Sequence, residues 1–514
     1  MKIFSLKQIA ALVLVSFTVS SFSQSIQQTF PVKREESADT WKRDGWKAVE
    51  NARAIKPRKG KAKNVILFLG DGMGVSTLTA ARIFEGQSRG ESGEENRLSF
   101  EEFPYSALSK TYSANQQTSD SAPTMSAIMT GVKTDEGVLS VNQNVQHGNY
   151  RTVAGKETKT LLEYAEDAGR STGIVTTARL THATPGACYA HTVDRDWESD
   201  ADILARHKDA YDAKFPDIAR QLLEFRYGDG LEVALGGGRT KFLPKEINDP
   251  EYAKRSGERL DGRDLTDEWR KKYNDSAYVW NKQQFDAIDA KKTKHLLGLF
   301  EPSHMQFDHD RPKDPSGEPS LSEMTTKAID VLANNKKGYF LMVEGGRIDH
   351  AHHNGNAYRA LTDTVAFSDA VRAAVKKVNL DETLIIVTAD HSHTFFIQGY
   401  PARGNNILGL VHEIDGEGML EEKPVIDRDK KPFTTLGYSN GPGARGTQRP
   451  DLDEQTVIKP DYLQESNIPL AAETHSGEDV AIYATGVNAY LFHGSMEENW
   501  IFYIMADAMR LGRK

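Results

Sequence analysis

The run Asp349-His350-Ala351-His352-His353 sets a carboxylate and an imidazole four residues apart. On a helix those positions share one face, so Asp349 and His353 can grip one metal ion together. Asp390-His391 offers a second carboxylate–imidazole pair that can hold another. Neutral imidazole with carboxylate suits zinc, and carboxylate with hydroxyl and water suits magnesium. Two zinc ions about 3.5–4 Å apart form the usual clamp for in-line phosphoryl displacement. His182, His191, His350, His352, His393 and His475 fall in or beside the same loops as these pairs. A lone histidine is usually structural, whereas a cluster of them with acids at strand ends reads as a metal site.

Asp120-Ser121-Ala122 is the candidate nucleophile turn. A serine hydroxyl attacks poorly at neutral pH unless a base or a metal activates it, and a nearby zinc would serve. The same residues also read as the cap of a helix over 122–131. The two readings agree, because a helix N-terminus favours bound phosphate. Arg195, in His191-Thr-Val-Asp-Arg-Asp-Trp197, can hold two phosphate oxygens in a bidentate fork. Taken alone, an arginine between two aspartates reads equally as a surface ion pair.

The elements that must carry these residues are legible as four short apolar runs: Val65 to Leu69, Gly173 to Val175, Tyr339 to Val343 and Leu384 to Val387. None alternates, as expected of strands buried on both faces of a parallel sheet. Helical spacing recurs between them, at Leu161 to Ala168, Met324 to Asn334 and Ala357 to Val378. The expected fold is α/β, with a large, mostly parallel central sheet flanked by helices on both faces. After the runs come Gly70-Asp71-Gly72, the polar loop Thr176 to Pro185, Glu344 to Asp349, and Thr388-Ala-Asp-His391. Ligands bind at the carboxyl ends of strands in such sheets, and acids and imidazoles crowd those ends here. Residues 401–465, rich in Gly, Pro, Asn and charge, read as a crown-like insertion over the site's rim. Residues 240–320 form a second irregular, charged stretch.

Lys2 and Lys7, an apolar run from Ile9 to Val15, and Ser21-Phe22-Ser23 before Gln24 predict a secretory leader over 1–23. The remaining 24–514 is expected to form one catalytic domain, exported to the periplasm or the extracellular space. Arg510, Arg513 and Lys514 close the chain without an apolar tail, so no lipid-anchor signal and no membrane anchor after cleavage are expected. A single cysteine, Cys188, rules out an intrachain disulfide. Hydrophobic residues at 38% and charged residues at 27% are those of a soluble globular chain. The net charge of −9 argues against nucleic acid as the main partner. For an anionic phosphate substrate, metal cations in the site would resolve that charge locally.

Taken together, Phe68–Ser76 (FLGDGMGVS), Val343–His350 (VEGGRIDH), Thr388–His393 (TADHSH) and Glu473–Asp479 (ETHSGED) make the chain resemble the alkaline phosphatases of the animal-type branch, from about Trp41 to about Met509. The resemblance implies hydrolysis of small phosphate monoesters, with broad range, through a phosphoserine on Ser121. It implies that Asp349, His353 and His475 hold one zinc, and that Asp71, Asp390 and His391 hold the second. Asp71, Thr184 and Glu344 would hold magnesium. Arg195 would bind the non-bridging oxygens, and His182 and His350 would line the site. A calcium site at Glu251, Phe300 (through its carbonyl), Glu301 and Glu318 is implied, and a homodimer in which Tyr400 reaches into the partner's active site. The chain departs from the branch in lacking disulfides and a lipid-anchor signal, and in the run Ala122-Pro123-Thr124-Met125.

Three other readings compete. A sulfatase of the same superfamily needs Ser-x-Pro-x-Arg, and Met125 stands where the arginine belongs. Related diesterases lack the third metal, for which Thr184 and Glu344 supply ligands. An inert phosphate-binding or cell-surface protein would have lost a ligand or the nucleophile, and all are present.

Overall fold

The computed structural model describes residues 28–446 and 449–512. The predicted leader, 1–23, lies outside the described residues. In chain order the strands are β1 (Asn64–Gly70), β2 (Tyr105–Lys110), β3 (Ser171–Arg179), β4 (Val233–Gly237), β5 (Ser276–Val279), β6 (His295–Leu299), β7 (Tyr339–Gly345), β8 (Thr383–Thr388), β9 (Ser392–His393), β10 (Phe395–Ile397), β11 (Leu436–Gly441), β12 (Ser466–Pro469), β13 (His475–Ser476), β14 (Val480–Gly486) and β15 (Ser495–Glu497).

A 10-stranded sheet runs β15-β2-β14-β8-β1-β7-β3-β4-β6-β5. All its pairs are parallel except those of β14 with β2 and β8. The four apolar runs are β1, β3, β7 and β8, and they lie side by side at the centre as β8-β1-β7-β3. That position explains their continuous apolarity. Val65, Leu67 and Leu69 of β1 pack on one face with Met125, Leu161 and Met505, from the helices Ser121–Thr130, Leu161–Asp167 and Trp500–Met509. Ile66 and Phe68 pack on the other face with Leu78, Met324 and Phe367, from Val75–Ser88, Leu321–Leu332 and Ala357–Lys377. The expected α/β architecture is therefore found, with helices on both faces.

The irregular stretch 240–320 supplies β5, at one edge of the sheet, and β6 beside it. β6 is a short Leu-rich run between charged segments, which hides it as a strand. β10, β11 and β12 form one three-stranded sheet whose outer strands fall on either side of 401–465. Among the described residues, no helix is long and apolar enough to cross a membrane.

Candidate active site

The parallel strands end on one rim and deliver acids and imidazoles to it. Asp71 follows β1, and Glu344 lies at the end of β7, opposite Leu69 of β1. Asp390 and His391 follow β8, and His475 opens β13, which pairs with His393 of β9. Asp349 and His353 lie on the helix Arg347–His353, where the predicted spacing of four brings His353 Nε2 to 3.2 Å from Asp349 Oδ1.

Asp349 is the hub of the first cluster. Its Oδ1 also lies 3.3 Å from His475 Nε2 and 2.9 Å from His393 Nε2. Backbone carbonyls fix two of these rings: His353 Nδ1 lies 2.6 Å from the Glu473 carbonyl and His475 Nδ1 2.8 Å from that of Ser119. A proton held on each Nδ1 leaves the Nε2 lone pairs facing inward. Burial would raise the Asp349 carboxyl, but the surrounding imidazoles overcome it and hold the group well below the usual carboxylate range.

The second cluster is Asp71, Asp390 and His391. His391 Nε2 lies 3.4 Å from Asp71 Oδ1 and 3.5 Å from Asp390 Oδ2. Asp390 Oδ1 accepts from the amides of Gly72 and His391 at 3.2 and 3.1 Å. Gly72 has φ +66, and a Cβ there would meet His393 Nε2 at 2.3 Å, so the turn needs glycine. Burial, then the charges of Asp390, Asp349 and Glu344, push the Asp71 carboxyl well up. Burial raises Asp390 to about 6 and Glu344 to about 7.

These residues fit metal ions. Asp71 Oδ2, Asp390 Oδ2, Glu344 Oε1, Thr184 Oγ1 and His391 Nδ1 are buried without a hydrogen-bond partner. Buried polar atoms are rarely left so. Packed carboxylates that raise each other's proton affinity are the environment a divalent cation relieves. Asp349, His353, His393 and His475 form one metal-competent group, and Asp71, Asp390 and His391 another. Thr176 Oγ1 donates to the other oxygen of Glu344, leaving Oε1 free.

Ser121 lies against the second cluster. Its Oγ is 3.2 Å from His391 Nε2 and 3.4 Å from Asp71 Oδ1. It is the first residue of the helix Ser121–Thr130, which Asp120 caps and in which every residue is buried. The helix-cap reading of this turn is therefore found, with the Ser121 hydroxyl at the first position of the helix. Asp120 also pairs with Arg195 Nη1, while Arg195 Nη2 stands 3.1 Å from His182 Nε2. Burial opposes the Arg195 charge, and Asp120 more than offsets that. His182 is driven well below its ordinary value by burial and by Arg195, and His350 to about 3 by burial and Arg347.

Not every expected residue joins this centre. Tyr400 is 86% exposed. His352 turns inward, with Nε2 3.0 Å from Thr77 Oγ1 and Nδ1 2.9 Å from the Tyr438 hydroxyl. His191 bonds Ser140 and Glu163. In the calcium region, Glu251 and Glu301 converge with Asp314 rather than with Glu318. Glu318 lies beside them, its Oε1 accepting from the Gln306 amide at 3.0 Å, with burial raising its carboxyl to about 9. Phe300 is buried next to Glu301.

Spacing alone does not assign His393, Glu473 or His304. His393 bridges two acids, with Nε2 on Asp349 and Nδ1 2.6 Å from Glu473 Oε2. His304 packs against His350 and His182. The alternation His391-Ser-His393, which puts both rings on one side of a short strand, is the one sequence signal for the first of these.

Known proteins match nearly the whole chain. A family model described as alkaline phosphatase matches residues 62–511. The tissue-nonspecific alkaline phosphatase of Felis catus is 43% identical over 505 residues, covering 96% of this chain and 93% of that protein. An alkaline phosphatase of Gadus morhua is 44% identical over 492 residues, covering 94% and 99%. The fold matches the alkaline phosphatase of Thermus thermophilus with a TM-score of 0.62 at 23% identity, covering 90% of this chain and 94% of that one. It matches that of the Antarctic bacterium TAB5 with 0.59 at 21%, covering 88% and 99%. The chain belongs to the alkaline phosphatase family.

Proposed function

We propose that this chain hydrolyses phosphate monoesters through a phosphoserine on Ser121. The observation that carries the reading is the Ser121 hydroxyl, 3.2 Å from His391 Nε2 and 3.4 Å from Asp71 Oδ1, beside an arginine anchored by the preceding residue. Asp349, His353 and His475 would hold one zinc ion, Asp71, Asp390 and His391 a second, and Asp71, Thr184 and Glu344 magnesium. Bound there, the cations supply the positive charge that makes a hydroxyl nucleophilic and offsets charge on the leaving oxygen.

Ser121 Oγ attacks phosphorus in line, and the alcohol leaves. Water then attacks the phosphoserine, releasing inorganic phosphate and restoring the hydroxyl. Arg195 holds two non-bridging oxygens through both transfers. The N-terminal amides of Ser121–Thr130 favour the same anion. Asp120 keeps the Arg195 fork oriented, and His182 and His350 line the site. Nothing in this set reads the leaving group, so a broad substrate range follows.

The reading extends to a calcium ion at Glu251, Glu301 and the Phe300 carbonyl, with Asp314 the better-placed fourth ligand. It includes an exported 24–514 domain, and a homodimer in which exposed Tyr400 reaches the partner's site. Ser121→Ala tests the mechanism: metal content stays unchanged while aryl phosphate turnover falls by roughly a thousandfold or more. Turnover close to wild type in that variant overturns the phosphoserine route.

A further inference from the structure

We propose that His182, His304 and His350 form an additional transition-metal site, distinct from the ligand sets above, that takes zinc when zinc is in excess. The three rings come from three segments: His182 precedes the short helix Ala183–Gly186, His304 follows β6, and His350 lies in Arg347–His353. One ligand nitrogen from each lies within 4.8 Å of the others. The ring centroids are 4.0 Å apart for His304–His350, 5.3 Å for His182–His304 and 5.4 Å for His182–His350.

A second observation points to a missing partner. His182 Nδ1 and His350 Nδ1 are both buried without a hydrogen-bond partner. The set contains no carboxylate. Three imidazoles select zinc, cobalt, nickel or copper over magnesium or calcium.

The neighbourhood also sets the order of filling. Arg179 Nη1 lies 2.5 Å from His304 Nε2, and Arg195 Nη2 lies 3.1 Å from His182 Nε2. These guanidinium groups repel a cation, so the acid-lined sets fill first and the histidine site needs higher free zinc. His182 also groups with Asp71 and Glu344, so the new site borders the magnesium set while sharing none of its proposed ligands.

The test loads the full chain with its resident metals, dialyses it against rising zinc chloride, and counts zinc per chain. Wild type is expected to take up one zinc more than His304→Gln. Cobalt added to His304→Cys is expected to produce a thiolate-to-cobalt absorption band that cobalt-loaded wild type lacks. Wild-type crystals soaked in zinc should show an anomalous peak at roughly 2.0–2.1 Å from the three rings. This last measurement decides the matter if the variants fail to fold. Equal zinc counts in wild type and variant, or no peak among the rings, overturn the site. Binding is measured without substrate, so failure of the phosphoserine reading would be seen separately.

Discussion

The Nε2 atoms of His353 and His475 stand 3.1 Å apart, and each ring has its Nδ1 committed to a backbone carbonyl. With both rings neutral, two lone pairs face each other across the oxygen of Asp349. A cation there turns repulsion into two bonds. Chelation is therefore expected to lower the thermal midpoint and abolish turnover, with zinc and magnesium restoring both. Zinc at a thousandfold excess over its dissociation constant adds about 4 kcal/mol. Equal melting of chelated and loaded protein would show that these clusters hold no ion. Burial lowers the proton affinity of His353, but Asp349 raises it by more, so protons compete with zinc at this ring. Zinc retention in dialysis is expected to fall as pH drops through the histidine range.

Gly72 and His393 are in close contact, and that contact can be tested by one methyl group. A Cβ on residue 72 would fall 2.3 Å from His393 Nε2, in a turn with φ +66 that disfavours any side chain. Gly72→Ala is expected to push His393 off Asp349 and weaken zinc binding by about tenfold, equivalent to about 1.4 kcal/mol. A metal titration of the variant checks this; unchanged affinity would mean that His393 plays no part in holding Asp349.

Chain-local patterns foretell what chain-local forces create. The central strands are legible because burial on both faces leaves a continuous apolar run, and Asp349 and His353 because a helix turn sets their spacing. β14 is hidden by its antiparallel setting, where inner residues of its first half alternate with half-buried ones. Glu473 and His393 lie far apart in sequence and meet only through the pairing of β13 with β9. His304 sits in Ser303-His304-Met305, with no periodicity, and reaches His350 only because β6 and β7 end on the same rim. Asp314 and Glu318 are close in sequence, and the path of the loop, not its composition, decides which faces Glu301.

Glu166 and Glu232 form a buried acid pair remote from the metal clusters. Thr172 Oγ1 donates to Glu166 at 2.5 Å, and the Thr172 amide to Glu232 at 2.6 Å. Burial, with the Glu232 charge, raises Glu166 to about 10, and burial raises Glu232 to about 7. A carboxyl whose proton affinity is higher folded than unfolded favours the folded state only in acid. As pH rises above about 4.3 the unfolded chain loses its proton while the folded one keeps it, so stability falls with pH. The fall continues until the folded group itself ionises. Glu166→Gln removes that dependence and keeps an acceptor for Thr172. The variant's melting temperature, measured against wild type, is expected to gain more at pH 9 than at pH 5. A gain independent of pH would mean Glu166 is ionised in the folded protein.

Arg195 depends on Asp120 for its aim. The ion pair is only partly exposed, with 18% and 26% of the two side chains accessible, so solvent screens it incompletely. A hydrogen bond to a charged group contributes about 1.5–3 kcal/mol, and partial exposure places this one near the lower end. Asp120→Asn keeps the shape and the helix cap but removes the charge that fixes the guanidinium. The fork then loses one anchor, while His182 still contacts its other nitrogen at 3.1 Å. The expected result is a KM for aryl phosphate about tenfold higher, with competitive inhibition by inorganic phosphate weakened in proportion. Product leaves more easily from a loosened fork, so kcat holds or rises. A fall in kcat at constant KM would instead place Asp120 in the transfer step itself rather than in the positioning of Arg195.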